Sequence, residues 1–199
     1  MPALRSPRPV RSRSAHRFSA ALAALVVAGA TASASAAAPP TGLAPGKAKG
    51  TITANGKAVT LTHAYAALEP NPFDEKKSDI VVLLTAGPLA AAALSGDLSE
   101  AATSAPTWLR LKLRDDPDMA KGMGRGERWI VGNRTLGHEV LKAQTLQTSP
   151  DFDTKLDAVS MTTDRVEATA YTDGVKEQFD DKFEYRVSFN AKVRPRAAR

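Results

Sequence analysis

Phe183-Glu184-Tyr185-Arg186-Val187-Ser188-Phe189-Asn190-Ala191-Lys192-Val193 is the stretch that decides the fold. Its odd-numbered positions are apolar and its even-numbered positions are polar. Successive side chains of a strand point to opposite faces, so this pattern buries one face and wets the other along a strand some ~35 Å long, or one that bends.

Working outward, the clearest partner is Gly50 to Tyr65. Asn55-Gly56, the pair best suited to the two positive φ angles of a type I′ turn, separates Thr51–Ala54 from Lys57–Tyr65. The second arm places Val59, Leu61, His63 and Tyr65 on one face. Asp79 to Thr85 is apolar on both faces and reads as a central, buried strand. Gly87-Pro88 opens an expected short helix through Leu94, with Pro88 suited to its first turn, and a second helical turn is expected over Asp97–Ala102. Trp108–Arg114 alternates again. Asp115–Gly126 reads as a polar loop. Glu127–Val131 and Thr135–Ala143 are further strand candidates, interrupted by Gly132 and Gly137. Leu156–Thr162 and Arg165–Tyr171 read as a hairpin around Thr163-Asp164. The class is mainly β: an antiparallel sandwich or barrel of about eight or nine strands with one or two short helices.

The N-terminus carries a secretion signal. Arg5, Arg8, Arg11, Arg13 and Arg17 precede an apolar run from Phe18 to Ala30, and small residues with A-x-A spacing follow. The run is shorter than the roughly 20 residues that cross a bilayer. Residues 1–36 are therefore read as a signal peptide, with cleavage after Ala36 or Ala38 and no stable membrane anchor afterwards. Residues 37–49 are read as a flexible segment, 50–193 as one domain and 194–199 as a basic tail. The mature protein is expected to be periplasmic or secreted.

Removing the leader changes the charge balance. The whole chain has 27 Lys and Arg against 21 Asp and Glu, and the leader holds five of the Arg, which leaves 22 basic residues against 21 acidic. The high isoelectric point belongs to the two ends, so nucleic acid is not an expected partner. With no Cys, the fold must stand without disulfides, and thiol catalysis is excluded.

Gly50-Thr51-Ile52-Thr53-Ala54-Asn55-Gly56-Lys57, Leu61-Thr62-His63-Ala64-Tyr65-Ala66, the charged loop Phe73–Lys77 and the strand Asp79–Leu84 together resemble an uncharacterised family of small exported bacterial β-rich proteins. Tyr171–Gly174 and Phe179–Phe189 resemble that family's ending. The resemblance implies export and β architecture, and it carries no activity.

His63 and Tyr65 are the candidate catalytic or ligand-binding residues. An imidazole and a phenol two apart on a strand share a face and could serve as acid and base, against the plainer reading of a His and Tyr satisfied in a core. No metal site or cofactor is implied: His63 and His138 are not at ligand spacing, and Asp151, Asp153 and Asp157 lack the glycine and bidentate Glu of a calcium loop. Gly122–Gly126 resembles a phosphate loop, but a strand follows where a helix is needed. Asn133-Arg134-Thr135 fits a glycosylation acceptor. The expected function is a non-enzymatic binding or interaction module for a small ligand, a glycan or an envelope protein. The alternative is a hydrolase using His63 and Tyr65.

Overall fold

Asn55 and Gly56 take φ values of 46° and 81°, the two positive angles of a type I′ turn. On either side the chain pairs as β1 (Lys47–Ala54) and β2 (Lys57–Pro70), with Ala54 opposite Lys57. The computed structural model describes residues 41–122 and 128–195. The leader, residues 37–40, most of the glycine loop and the tail from 196 lie outside the described residues.

From β2 the chain continues through β3 (Ser78–Thr85), α1 (Leu98–Ala102), β4 (Trp108–Asp115), α2 (Pro117–Gly122), β5 (Trp129–Gly137), β6 (Thr145–Thr148), β7 (Thr154–Met161), β8 (Arg165–Thr172), β9 (Lys176–Gln178) and β10 (Asp181–Arg194). The protein is mainly β. All ten strands belong to one sheet, in the order β6-β5-β4-β3-β2-β1-β10-β8-β7, with β9 beside β10. Neighbours are antiparallel, except that β10 outruns the shorter β1 and pairs its last residues in parallel with Ala66 and Ala67 of β2. The sheet is not closed, because β6 and β7 do not pair.

One face of this sheet wraps a single core. Ile52, Leu61, Val82, Leu111, Leu136, Leu146, Leu156 and Phe189 belong to it, so strands from both ends of the order share the same apolar interior. The alternation of β10 explains its share: Phe183, Tyr185, Val187, Phe189, Ala191 and Val193 are all buried. β3 is apolar on both faces because it is covered on both. Val82 and Leu84 enter the main core, while Val81 and Leu83 pack with Leu98, Ala101 and Ala102 of α1.

Several expectations change. No helix starts at Pro88; a 3-10 turn forms only over Ala93–Ser95, because Leu89 N–H donates to the Tyr65 hydroxyl at 2.9 Å and Leu89 packs against the α1 cluster. Within Asp115–Gly126 a helix, α2, forms instead of a plain loop, and Asp116 Oδ1 accepts from Met119 N–H at its start. Gly132 does not break its strand. It is the extra residue of a bulge, since Lys112 pairs Asn133 while Leu113 pairs Val131. Residues 138–144 are a turn, drawn in by the Asp181 carboxylate, which accepts from the N–H groups of Lys142 and Ala143. The N-terminal segment is also held from residue 41 onward. Thr41 Oγ1 donates to Glu167, Asn190 Nδ2 donates to Leu43 O, and β1 already begins at Lys47.

Candidate functional site

His63 and Tyr65 do not share a face with Leu61. The alternation of β2 breaks between Leu61 and Ala64, both in the main core, where the β1–β2 register slips between Lys47 and Gly50. Tyr65 therefore packs on the α1 side and accepts the hydrogen bond from Leu89. His63 is half-buried, with Nδ1 2.8 Å from Thr62 Oγ1. That hydroxyl gives its proton to Ala86 O at 2.6 Å, so His63 Nδ1–H donates to Thr62 Oγ1 and, in the neutral ring, Nε2 carries the lone pair. Burial, and then the positive charge of Lys47, pull the imidazole below its usual range. The charge that bears on His63 is thus a lysine, and a carboxylate orienting it as a base is not among its described partners.

The largest buried polar group is on the other side of the core. Arg134 of β5 is 1% exposed. Its Cζ lies 4.4 Å from the Phe183 ring centroid, its Nη2 donates to Gln178 Oε1 at 3.2 Å, and its Nε is 3.5 Å from Asp151 Oδ2. Asp151 in turn accepts from the Thr154 hydroxyl, which is hydrogen-bonded to the Tyr185 hydroxyl. Burial, with the Asp151 carboxylate beside it, pushes the Tyr185 phenol far up, so it stays protonated. Asp151 N–H reaches Val131 O and Ser149 Oγ donates to Gly132 O. These contacts join β5 to β7 and β10 across the unpaired edge and act as a polar clasp where strand hydrogen bonds are missing. Asp153 pairs with Lys176, and Asp157 faces Tyr171 and Arg186, so the three aspartates of that segment diverge.

A groove lies where the β2–β3 loop meets the end of β4 and the start of β5. Two adjoining cavities, of about 520 and 460 Å³, share Asn71, Lys77, Arg114, Asp115 and Pro117 as walls. Phe73 lines the first and Trp129 the second. Asn71 builds the loop: its Oδ1 accepts from the N–H groups of Phe73 and Asp74, while its Nδ2 donates to Asp79 at 2.8 Å. Asp79, buried, also accepts both arms of Arg114, at 3.3 and 3.1 Å. The Arg114 guanidinium then supports Phe73 from beneath, 4.9 Å from the ring centroid, and leaves the ring 83% exposed. Arg128 forks onto Asp115 and, chiefly through that hydrogen bond, holds its carboxyl below the usual range. Each arginine of the groove is thus matched to a carboxylate, and what remains is an aromatic face beside fixed donors and acceptors, with the Asp116 and Asp118 carboxylates along the first cavity.

Three further apolar side chains are exposed elsewhere: Phe152 at 62%, Val175 at 59% and Phe179 at 73%. Neither the groove nor the clasp had a local signature. Each assembles residues from three or more separate segments, and the readable hint was only a charged residue, Arg114 or Arg134, inside an apolar strand. Comparison of the chain with protein-family models, with curated proteins and with solved structures gave no match.

Proposed function

We propose that the protein is an exported, non-enzymatic binding module that holds a small, polar, uncharged ligand such as a glycan in the groove between Phe73 and Trp129. The observation that carries this reading is the exposed Phe73 ring propped on an arginine whose charge is already matched by buried Asp79. A neutralised guanidinium attracts no anion, yet it fixes an aromatic face for stacking. Clefts for small ligands span roughly 300–1,000 Å³, and the two cavities fall within that range. Export rests on the sequence of the leader. The hydrolase alternative has less support, since His63 lies against Lys47 and Thr62 and has no orienting acid among the described residues.

Saturation-transfer NMR on the purified exported protein, with soluble oligosaccharides as probes, tests the reading. Expected is transfer to sugar C–H protons that Phe73→Ala weakens by roughly tenfold or more, with His63→Gln without effect. Absence of transfer across the probes, or binding indifferent to Phe73→Ala, would overturn it.

A further inference from the structure

His138 follows the last residue of β5 and is 3% exposed. Its Nδ1 accepts from Val140 N–H at 3.3 Å, and its carbonyl accepts from Leu141 N–H at 3.0 Å, so this one residue starts the 138–144 turn. A ring nitrogen that accepts carries no proton, and the neutral imidazole then holds its hydrogen on Nε2. Among the described residues, that buried Nε2 has no hydrogen-bond partner. A second proton would go on Nδ1 and face the Val140 N–H, donor against donor. The cation would then be buried with neither of its N–H groups accepted.

The charges around the ring do not offset this. Glu139 favours the cation and Lys57 of β2 opposes it, but the two are paired with each other at 2.6 Å. The walls that His138 shares with Ala105, Pro106, Trp108, Leu141 and Gln144 bring no further charge. Burial is the chief effect and holds the imidazole below its ordinary range.

The rest of the turn hangs on β1 and β10. Asn55 Nδ2 donates to Val140 O, and the Asp181 carboxylate accepts from Lys142 and Ala143 N–H. Burial would raise the Asp181 carboxyl, but the hydrogen bonds from Asn55, Lys142 and Ala143 hold it low, so it keeps its charge in mild acid. Leu141, between these holds, is 7% exposed and belongs to the main core. The turn therefore covers one end of the apolar interior.

We propose that His138 is an acid-sensitive latch on the 138–144 turn. The neutral ring keeps the turn closed, and a proton on Nδ1 releases it, drawing Leu141 outward and opening that end of the core. The groove lies at the opposite end of β4 and β5, where Asp115 pairs Trp129, so the latch does not depend on what the groove holds. A ring that refuses the proton when closed and takes it when open makes opening easier as pH falls. Protection of the turn is full above the ordinary imidazole value of about 6.5. It falls as pH drops below that value, until the closed ring itself takes the proton.

Amide hydrogen exchange of the purified protein, followed by NMR at about pH 7.5 and about pH 5.5 and corrected for intrinsic rates, tests this. Expected is a roughly tenfold loss of protection at Lys142 and Ala143, the ratio set by one ordinary imidazole taking up a proton in the open turn. His138→Asn keeps a short acceptor for Val140 N–H and cannot take a proton, so it should abolish the change. His63→Gln removes the other histidine of the described residues and should preserve it. In wild type, ring 15N shifts should place the His138 proton on Nε2 at about pH 7.5. Unchanged protection in wild type, a loss that persists in His138→Asn, an equal loss at strand amides such as Val82 and Leu111, or an Nδ1–H ring would each overturn the proposal.

Discussion

Two turns of the same geometry serve opposite ends in this molecule. Asn55-Gly56 and Phe179-Asp180 are both two-residue turns with two positive φ angles. Asn55 is fully employed: Nδ2 donates to Val140 O and to Asp181 Oδ1, and Oδ1 accepts from Lys182 N–H. It thereby fixes the start of β10 and the 138–144 turn together. Phe179 has no such role and points outward. Residue types that suit the angles hold the fold in the first turn, while the second carries an aromatic residue that the angles disfavour.

The largest expected effect comes from breaking the first turn. Asn55→Ala removes three hydrogen bonds, leaves buried Asp181 short of a donor and puts Ala at positive φ, for an expected loss of about 2–3 kcal/mol in urea unfolding. The loss should depend on pH. Burial alone would raise the Asp181 carboxyl, but Asn55 and the N–H groups of Lys142 and Ala143 outweigh it and hold the group below its ordinary value. The folded protein then binds fewer protons than the unfolded chain as pH falls through about 4. The stabilisation is complete above that pH and fades as pH drops through the lowered folded value. The gap between wild type and Asn55→Ala should therefore narrow in acid, and a constant gap from neutral pH to pH 3 would remove Asp181 from the account.

Gly56→Ala isolates the angle from the hydrogen bonds. A Cβ there meets no atom within 4 Å, so only the φ of 81° opposes it, and the expected loss is about 1 kcal/mol. The smallest effect has the opposite sign. Phe179→Gly relieves the same kind of strain at an exposed site and should stabilise by up to about 1 kcal/mol, measurable as a rise in the urea midpoint at unchanged slope. A loss of stability would mean that the Phe179 ring contributes packing.

The contrast also separates what could be read in the chain from what could not. Asn55-Gly56, the alternation of Phe183–Val193 and the two-faced apolar run of β3 are local patterns, and each forms as expected. β9 has three residues, too few for a period, and Phe-Asp is no turn signal, so both went unseen. Gly132 reads as a break in the sequence because a bulge is recognisable only with its partner strand. A strict period of two puts His63 and Tyr65 with Leu61, and that period fails at the register slip beside Lys47. The Phe73–Arg114–Asp79 support and the Arg134 clasp depend on distant segments meeting, and no spacing encodes that.

Replacing both residues of the second turn tests the division of roles most directly. The double variant Phe179→Asn, Asp180→Gly makes it a copy of the first, and its urea unfolding is then read beside wild type. The variant should unfold at higher urea than wild type, at unchanged slope. Lower stability would contradict the claim that Phe179 strains the turn without packing to offset it.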